Sequence, residues 1–101
     1  MSLLSGFKHS KPLARFSLGR VFLTPGAIEA LRRANRDSGE LLARHQAGDW
    51  GEIPEIDKRQ NDETLSTGGR ILSAYCVGYQ VLWVTTTADR KITHILLPSE
   101  Y

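Results

Sequence analysis

Residues 70–101 read RILSAYCVGYQVLWVTTTADRKITHILLPSEY. β-Branched and aromatic residues dominate this stretch, and they favour the pleated, half-buried surface of a β-sheet. A glycine pair at residues 68–69 precedes it, and two turn segments, near Gly78 and at residues 88–91, divide it into three runs. The sequence therefore predicts a C-terminal antiparallel meander of three strands.

Alternate residues of the first of these strands point to opposite faces of the sheet. One face receives Ile71, Ser73, Tyr75 and Val77, and the other receives Leu72, Ala74 and Cys76. The small, apolar second set is typical of a core. Cys76 is accordingly expected to be a small buried hydrophobe rather than a nucleophile. For the other two strands the buried face stays open, because the sequence does not fix their register.

Helix start and stop signals precede the meander. Thr24–Pro25 combines a threonine N-cap with proline at the first helical position. Asp37 and Glu40 have the spacing of a capping box, which starts a second helix that ends near Gly48. A third helix is predicted over residues 54–65.

The N-terminal part of the chain contributes a strand and an arm. Apolar residues alternate imperfectly over residues 14–23 around Gly19, which predicts a bent strand that joins the C-terminal sheet. Residues 1–12 are rich in Ser, Gly and Lys without periodicity and are expected to form a flexible arm. Residues 13–101 then form a single α+β domain: an N-terminal strand, two or three helices, and the meander with the helices packed on one face.

Composition narrows the class of protein. The 101 residues are 41% hydrophobic and 24% charged, which are ordinary globular values. A formal charge of +2 and a pI near 8.9 are compatible with nucleic acid but far weaker than the basic stripe of a dedicated binder. Cys76 is the only cysteine, which excludes an intrachain disulfide and favours a reducing, cytoplasmic location. No segment is apolar enough to predict a membrane span.

The densest polar cluster is ARHQAGDWG at residues 43–51. His45 lies near the C-terminal end of the second helix, where the helix dipole favours a protonated imidazole that would suit a general acid. In the alternative, His45 caps carbonyl groups, Asp49 fixes the following turn and Trp50 fills the core. Asn61, in the third helix, is expected to be exposed.

Several kinds of site have no motif in this sequence. It lacks a glycine-rich phosphate loop, a His-x-x-x-His pair and a nucleophile elbow, and its three histidines are scattered. Paired carboxylates of the glycosidase type on opposing strands are also missing. We therefore expect neither a cofactor nor a metal ion.

An ordered set of motifs resembles the signature of a small family of proteins from bacterial mobile elements, usually called plasmid-related proteins. The set is ARHQAGDWG, then Asn61-Asp62-Glu63, GGRILSAY, WVTTTADR and ILLPSEY, and the resemblance spans residues 18–101. It implies a bacterial plasmid or integrative-element context without an established activity. Family members often carry a Pro-Asp-Gly type of turn where this chain has VGYQ at residues 77–80.

The expected architecture is also similar to the RelE-like and barnase-like small ribonucleases, in which helices pack on an antiparallel sheet. Such enzymes need groups that transfer protons and a cation for the phosphorane. Here His45 or His94 could transfer protons, and Arg70 or Arg90 could hold phosphate. Tyr75 or Trp83 could stack on a base. The candidate catalytic residues are thus His45, Arg70, Tyr75, Arg90 and His94.

Two other classes of function stay open beside a metal-independent ribonuclease. One is an RNA-binding module without catalysis, with phosphate contacts from Lys8, Lys11, Arg32, Arg33 and Arg36 and base stacking on Trp83. The other is an accessory factor that binds a protein, which the modest charge and the lack of a catalytic motif favour. RNA and a protein are therefore the two partner classes, and the sequence does not indicate an oligomeric state.

Overall fold

The structure, a computed structural model, describes residues 14–101. The predicted flexible arm, residues 1–12, therefore lies outside the described residues. Four strands, three helices and a short 3₁₀ turn follow one another along the chain. In order they are β1 (Arg20–Leu23), α1 (Pro25–Ala34), α2 (Ser38–Gln46), α3 (Glu55–Thr67), β2 (Ile71–Val77), β3 (Gln80–Thr86), β4 (Ile92–Leu96) and the turn Pro98–Glu100.

The four strands form one mixed sheet in the order β1-β4-β3-β2. The predicted meander is confirmed, because β2 pairs antiparallel with β3 and β3 antiparallel with β4. The N-terminal strand joins this sheet as predicted, but it pairs parallel with β4 and begins only after Gly19. The α+β class is confirmed, with a mixed four-stranded sheet.

Local capping chemistry sets the first two helix starts. The Thr24 hydroxyl accepts a hydrogen bond from the Ala27 backbone N–H at 3.1 Å, as expected of an N-cap. Asp37 caps α2 through the Gly39 N–H at 3.1 Å. The predicted capping box is only half formed, because the Glu40 carboxylate instead accepts a hydrogen bond from Arg36.

The helices α1 and α2 cover one face of the sheet. Their buried residues Ala27, Leu31 and Leu41 join a cluster that includes Tyr75 and Leu82. The prediction for the faces of β2 was wrong. Residues 71, 73, 75 and 77 are buried under the helices, whereas Cys76 is exposed. Burial of the more polar set is possible because its hydroxyl groups find hydrogen-bond partners in the core.

The remaining helix, α3, lies along the outer edge of β2. Asn61 donates from Nδ2 to the Leu72 carbonyl at 2.8 Å, and its Oδ1 accepts from the Leu72 N–H at 3.4 Å. The next backbone groups of this edge, those of Ala74, bond to Trp50 and Glu52 at 3.1 and 2.7 Å. Asn61 is therefore buried rather than exposed as expected, since it satisfies the edge of the strand.

Within residues 14–101, no helix is both long and apolar enough to cross a membrane.

Candidate functional site

The sheet face opposite α1 and α2 carries exposed aromatic and charged side chains. We call it the open face. It consists of Arg20, Phe22, Arg70, Leu72, Ala74, Cys76, Val81, Trp83, Thr85, Ile92, His94 and Leu96, joined by the C-terminal Tyr101. Phe22 and Tyr101 are 42% and 57% exposed, whereas Ala74, Thr85 and Leu96 in the middle of this face are buried. An exposed aromatic surface of this kind is a candidate binding site.

Strand register aligns these side chains in rows across the sheet. One row runs Phe22, His94, Thr85, Leu72 from β1 to β2, and the adjacent row runs Leu96, Trp83, Ala74. Directly opposite residues on neighbouring strands lie about 5 Å apart at Cβ, so members of one row contact one another. A single extended ligand that contacts Phe22, His94 and Leu72 could reach β3 through Trp83 of the adjacent row.

The first of two aromatic clusters on the open face involves β1 and β4. The rings of Phe22 and His94 are stacked, with centroids 5.6 Å apart and an interplanar angle of 29°. The Arg20 guanidinium lies over the Phe22 ring, with its central carbon 5.6 Å from the ring centroid. We call Arg20, Phe22 and His94 the Phe22 cluster.

The second cluster brings the end of the chain onto the open face. The Tyr101 ring meets Trp83 edge to face at 5.4 Å, and the Arg70 guanidinium lies 5.0 Å from the Tyr101 centroid. The preceding residue is held by the start of α1, because Glu100 accepts hydrogen bonds from the Thr24 hydroxyl and the Gly26 N–H at 2.5 and 3.1 Å. We call Arg70, Trp83 and Tyr101 the Trp83 cluster.

His45, by contrast, lies under the helices and is fully buried. It contacts Ser73 Oγ through Nδ1 at 2.6 Å and Thr86 Oγ1 through Nε2 at 2.9 Å. The chain of contacts continues from Thr86 to Thr93 at 2.7 Å and ends on the Leu18 carbonyl at 2.7 Å. It joins α2 to three strands and to the segment before β1.

The end of this chain fixes the proton positions as far as His45 Nε2. A carbonyl only accepts, so the Thr93 hydroxyl donates to Leu18 and accepts from Thr86. The Thr86 hydroxyl must then accept from His45, which places the imidazole proton on Nε2. In a neutral imidazole, Nδ1 then accepts from the Ser73 hydroxyl, and every group in the chain has a partner.

Burial has the opposite effect on His45 from the one expected of the helix dipole. Desolvation, with a smaller contribution from the positive charge of Arg90, lowers the pKa of His45 to about 3. The imidazole is therefore neutral at physiological pH and out of reach of a substrate. Of the two roles weighed for this residue, the geometry matches a structural one, although its partners are side chains rather than helix carbonyls.

Tyr75 is also buried, and its ring cannot stack on a base. Its hydroxyl donates to the Asp49 carbonyl at 2.6 Å, and the Arg44 guanidinium lies 4.5 Å from its ring centroid. Burial raises the pKa of Tyr75 to about 12. Asp49 fixes the turn as predicted, since its carboxylate accepts from the Gly51 N–H at 3.3 Å, and Trp50 is buried. The ARHQAGDWG segment thus holds structure together.

The Arg90 guanidinium is occupied by backbone carbonyls. Nη1 donates to Gly69 at 2.6 Å and to Thr87 and Ala88 at 3.0 and 3.1 Å, and Nη2 donates to Thr64 at 2.9 Å. These bonds tie the end of α3 to the turn between β3 and β4. A phosphate would have to compete with four carbonyls for this side chain.

The arginines of the helical region are paired with carboxylates. Arg32 and Arg33 both contact Glu29, at 2.6 and 2.8 Å, and Arg36 contacts Glu40 at 2.9 Å. Each of these pairs lies within a helix or at its start, which is typical of a solvated helix face. Lys8 and Lys11 lie outside the described residues.

The structure brings together three of the residues that the sequence singled out, namely Arg70, Trp83 and His94, all on the open face. Sequence reasoning missed Arg20, Phe22 and Tyr101. The signal in the sequence that could have indicated them was an aromatic residue near each end of the domain, Phe22 and Tyr101. Only the pairing of β1 with β4 and the turn at residues 98–100 show that these rings share one face.

In the part of the chain that the structure describes, no three side chains of the metal-ligating types are grouped to hold a metal ion. No protein-family model, curated protein or solved structure matches the chain.

Proposed function

We propose that this protein binds single-stranded RNA on the open face, with bases stacked on the Phe22 and Trp83 clusters. The observation that carries this proposal is the combination of an arginine and two rings in each cluster on an exposed sheet face. Sequence-tolerant RNA binding requires the same combination, since every base offers a face to an aromatic ring and every nucleotide a phosphate to a cation.

The expected magnitudes suit a moderate affinity. Base stacking on an aromatic side chain contributes about 1–3 kcal/mol per base. Arg20 and Arg70 can each contact a phosphate, which makes binding weaken with salt. The formal charge of +2 agrees with few phosphate contacts rather than many.

Binding is better supported than cleavage. Of the five candidate catalytic residues, His45 and Tyr75 are buried and Arg90 is held by carbonyls. Only Arg70 and His94 remain on the open face. A metal-independent ribonuclease needs both an acid and a base at the scissile phosphate, and His94 alone supplies one of them.

A protein partner is the second candidate function, and a separate surface favours it. A groove of about 460 Å³ lies between the end of α1 and the β2–β3 turn, lined by Ala30, Ala34 and Val77. Tyr79 at its rim is fully exposed.

Under either function, we propose that the protein belongs to a bacterial mobile element, because of the motif resemblance. We also propose that it acts in a reducing cytoplasm, where the exposed Cys76 thiol would stay free.

The test is fluorescence anisotropy with a labelled oligouridine of about 10 nucleotides, a typical site size for single-strand binders. We expect the Trp83→Ala variant to bind at least about tenfold more weakly than the wild type. The matched control is Tyr79→Ala, which removes an exposed ring from another surface. The wild-type affinity should fall as salt increases.

Two outcomes would contradict this function. No retention of RNA at low salt, or equal affinity of the wild type and Trp83→Ala, would exclude the open face as an RNA site. Electrophoresis of the same samples tests cleavage. Degradation of the RNA that disappears in His94→Ala, with circular dichroism unchanged, would support the ribonuclease instead.

A further inference from the structure

A second concave surface adjoins the open face. It is a groove of about 460 Å³ between α3 and the start of β2, and this volume falls in the usual range of small-ligand sites. Its lining includes Ile53, Asp57, Gln60, Thr64, Arg70 and Leu72. Asp57, Gln60 and Thr64 follow one another at positions i, i+3 and i+7, so they lie on one side of the helix. We call this surface the α3 groove.

The α3 groove and the open face share two residues. Leu72 ends the row of side chains that begins at Phe22, and Arg70 belongs to the Trp83 cluster. An RNA strand that crosses the sheet along this row therefore reaches the α3 groove at β2.

Three polar side chains of the α3 groove, Asp57, Gln60 and Arg70, are exposed. Asp57 and Arg70 line the same groove, yet within residues 14–101 neither forms an ion pair. In the same range, the side chains of Asp57, Gln60 and Arg70 make no hydrogen bond to protein, whereas Asn61 beside them is occupied by Leu72. A carboxylate, an amide and a guanidinium are thus available to a ligand.

We propose that the α3 groove binds an unpaired guanine base of the RNA strand that crosses the open face. This inference rests on the proposed function. An ionised carboxylate only accepts hydrogen bonds, and guanine presents two adjacent donors, N1–H and the N2 amino group. Asp57 accepts from these donors while Arg70 donates to O6 and N7, the acceptor pair that arginine recognises most often.

The other bases fit this set of groups less well. Adenine has an acceptor at N1, which faces the Asp57 carboxylate unfavourably. Cytosine has an acceptor at N3, and uracil offers one donor between two carbonyl oxygens. Each of these bases offers the Asp57 carboxylate one donor where guanine offers two, so it forms one charge-assisted hydrogen bond fewer, and such bonds are the stronger ones.

The test measures anisotropy with oligouridines that carry one central guanosine, adenosine or inosine. We expect the wild type to prefer the guanosine strand over the adenosine strand by about tenfold, and inosine, which lacks the N2 amino group, to fall between them. Asp57→Asn should remove this preference and leave the affinity for plain oligouridine unchanged. Glu63→Gln, an exposed carboxylate elsewhere on α3, is the matched control and should behave as the wild type.

The outcomes separate this inference from the function beneath it. Binding of plain oligouridine with equal affinities for the guanosine and adenosine strands would overturn the guanine site and leave the open face intact. Failure of every strand to bind would overturn the proposed function. Guanosine monophosphate that binds as tightly as the guanosine strand, with no effect of Trp83→Ala, would overturn the claim that the base belongs to a strand.

Discussion

The two faces of the sheet use the same residue types for opposite purposes. Under the helices, His45 is fully buried in a chain of hydrogen bonds. On the open face, His94 is exposed and stacks on Phe22. Residue type therefore does not distinguish a structural histidine from one that can contact a ligand. The two are distinguished by their burial and by whether protein groups already satisfy the ring nitrogens.

Arginine and threonine residues also differ between the two environments, one of each pair being bonded within the protein and the other facing the open face. Arg90 donates to four backbone carbonyls, whereas the Arg70 guanidinium lies over the Tyr101 ring and makes no hydrogen bond within residues 14–101. Thr85 and Thr86 are neighbours in β3, but Thr86 belongs to the buried chain and Thr85 points to the open face. A difference of one position along a strand thus separates the core from the candidate site.

The two histidines should differ most in what their replacement does to stability. His45→Ala removes a buried ring, leaves the Ser73 hydroxyl without a partner and removes the donor to Thr86, so we expect the free energy of unfolding to fall by about 3–5 kcal/mol. His94→Ala should cost less than about 1 kcal/mol, because it removes one exposed stacking contact. Urea denaturation followed by circular dichroism measures both.

If His45→Ala does not fold, His45→Gln supplies the measurement, since its amide can still donate and accept. Equal losses for His94→Ala and the His45 variants would show that the two histidines do not differ as described.

The two arginines come next. Arg90→Lys keeps the charge but cannot reach several carbonyls at once, so we expect a loss of about 2–4 kcal/mol. Arg70→Lys should leave stability within about 0.5 kcal/mol of the wild type, because its guanidinium makes only a surface contact. Thermal unfolding of the two variants side by side is the measurement, and a large loss for Arg70→Lys would contradict it.

Local chemistry explains why much of the fold follows from the sequence. The cap at Thr24 and the turns of the meander depend on residues within four positions of one another, and both were predicted correctly. The parallel pairing of β1 with β4 joins segments about 70 residues apart, and no local signal specifies it. The same is true of the position of Tyr101, which depends on Glu100 bonding to the start of α1.

The faces of β2 were mispredicted for a related reason. Ser73 and Tyr75 are unfavourable in a core unless partners exist, and those partners are His45 and the Asp49 carbonyl, in a different part of the chain. The same dependence on distant parts of the chain applies to the candidate site. His94 and Trp83 were identified from their strands, but whether each faced helix or solvent depended on the register.

Because His45 is buried in its neutral form, acid should lower the stability of the fold. The pKa of His45 is about 3 in the folded protein, against about 6.5 for the unfolded chain, so the unfolded state binds the extra proton first. The stability that neutral His45 provides is complete above pH 6.5 and decreases as the pH falls towards 3. We expect a loss of about 2 kcal/mol by pH 5.

Urea denaturation from pH 7 to pH 5 measures this loss, and His45→Gln is the control because all other groups are shared. The carboxyl groups of Asp49 and Asp89, whose pKa values hydrogen bonds lower, contribute below this range. Identical pH profiles for the wild type and His45→Gln would contradict the assignment.

Thr86 and Thr85 are adjacent in β3, and replacing each by valine should separate the two faces of the sheet by a small difference in stability. Thr86→Val keeps the shape of the side chain but removes the acceptor for the His45 Nε2–H and the donor for Thr93. We expect a loss of about 1–2 kcal/mol. Thr85 is 7% exposed, but its hydroxyl makes no hydrogen bond within residues 14–101, so Thr85→Val breaks none and should stay within about 0.5 kcal/mol of the wild type.

A further variant separates the chain of hydrogen bonds from simple burial. If Thr86 and Thr93 act in one chain, the losses of Thr86→Val and Thr93→Val should not add in the double variant, because breaking one link already frees the next. Additive losses would mean that each threonine acts alone. Equal losses for Thr85→Val and Thr86→Val would mean that the two faces are not distinguished by their hydrogen bonds, and the structural role of His45 would then rest on its burial alone.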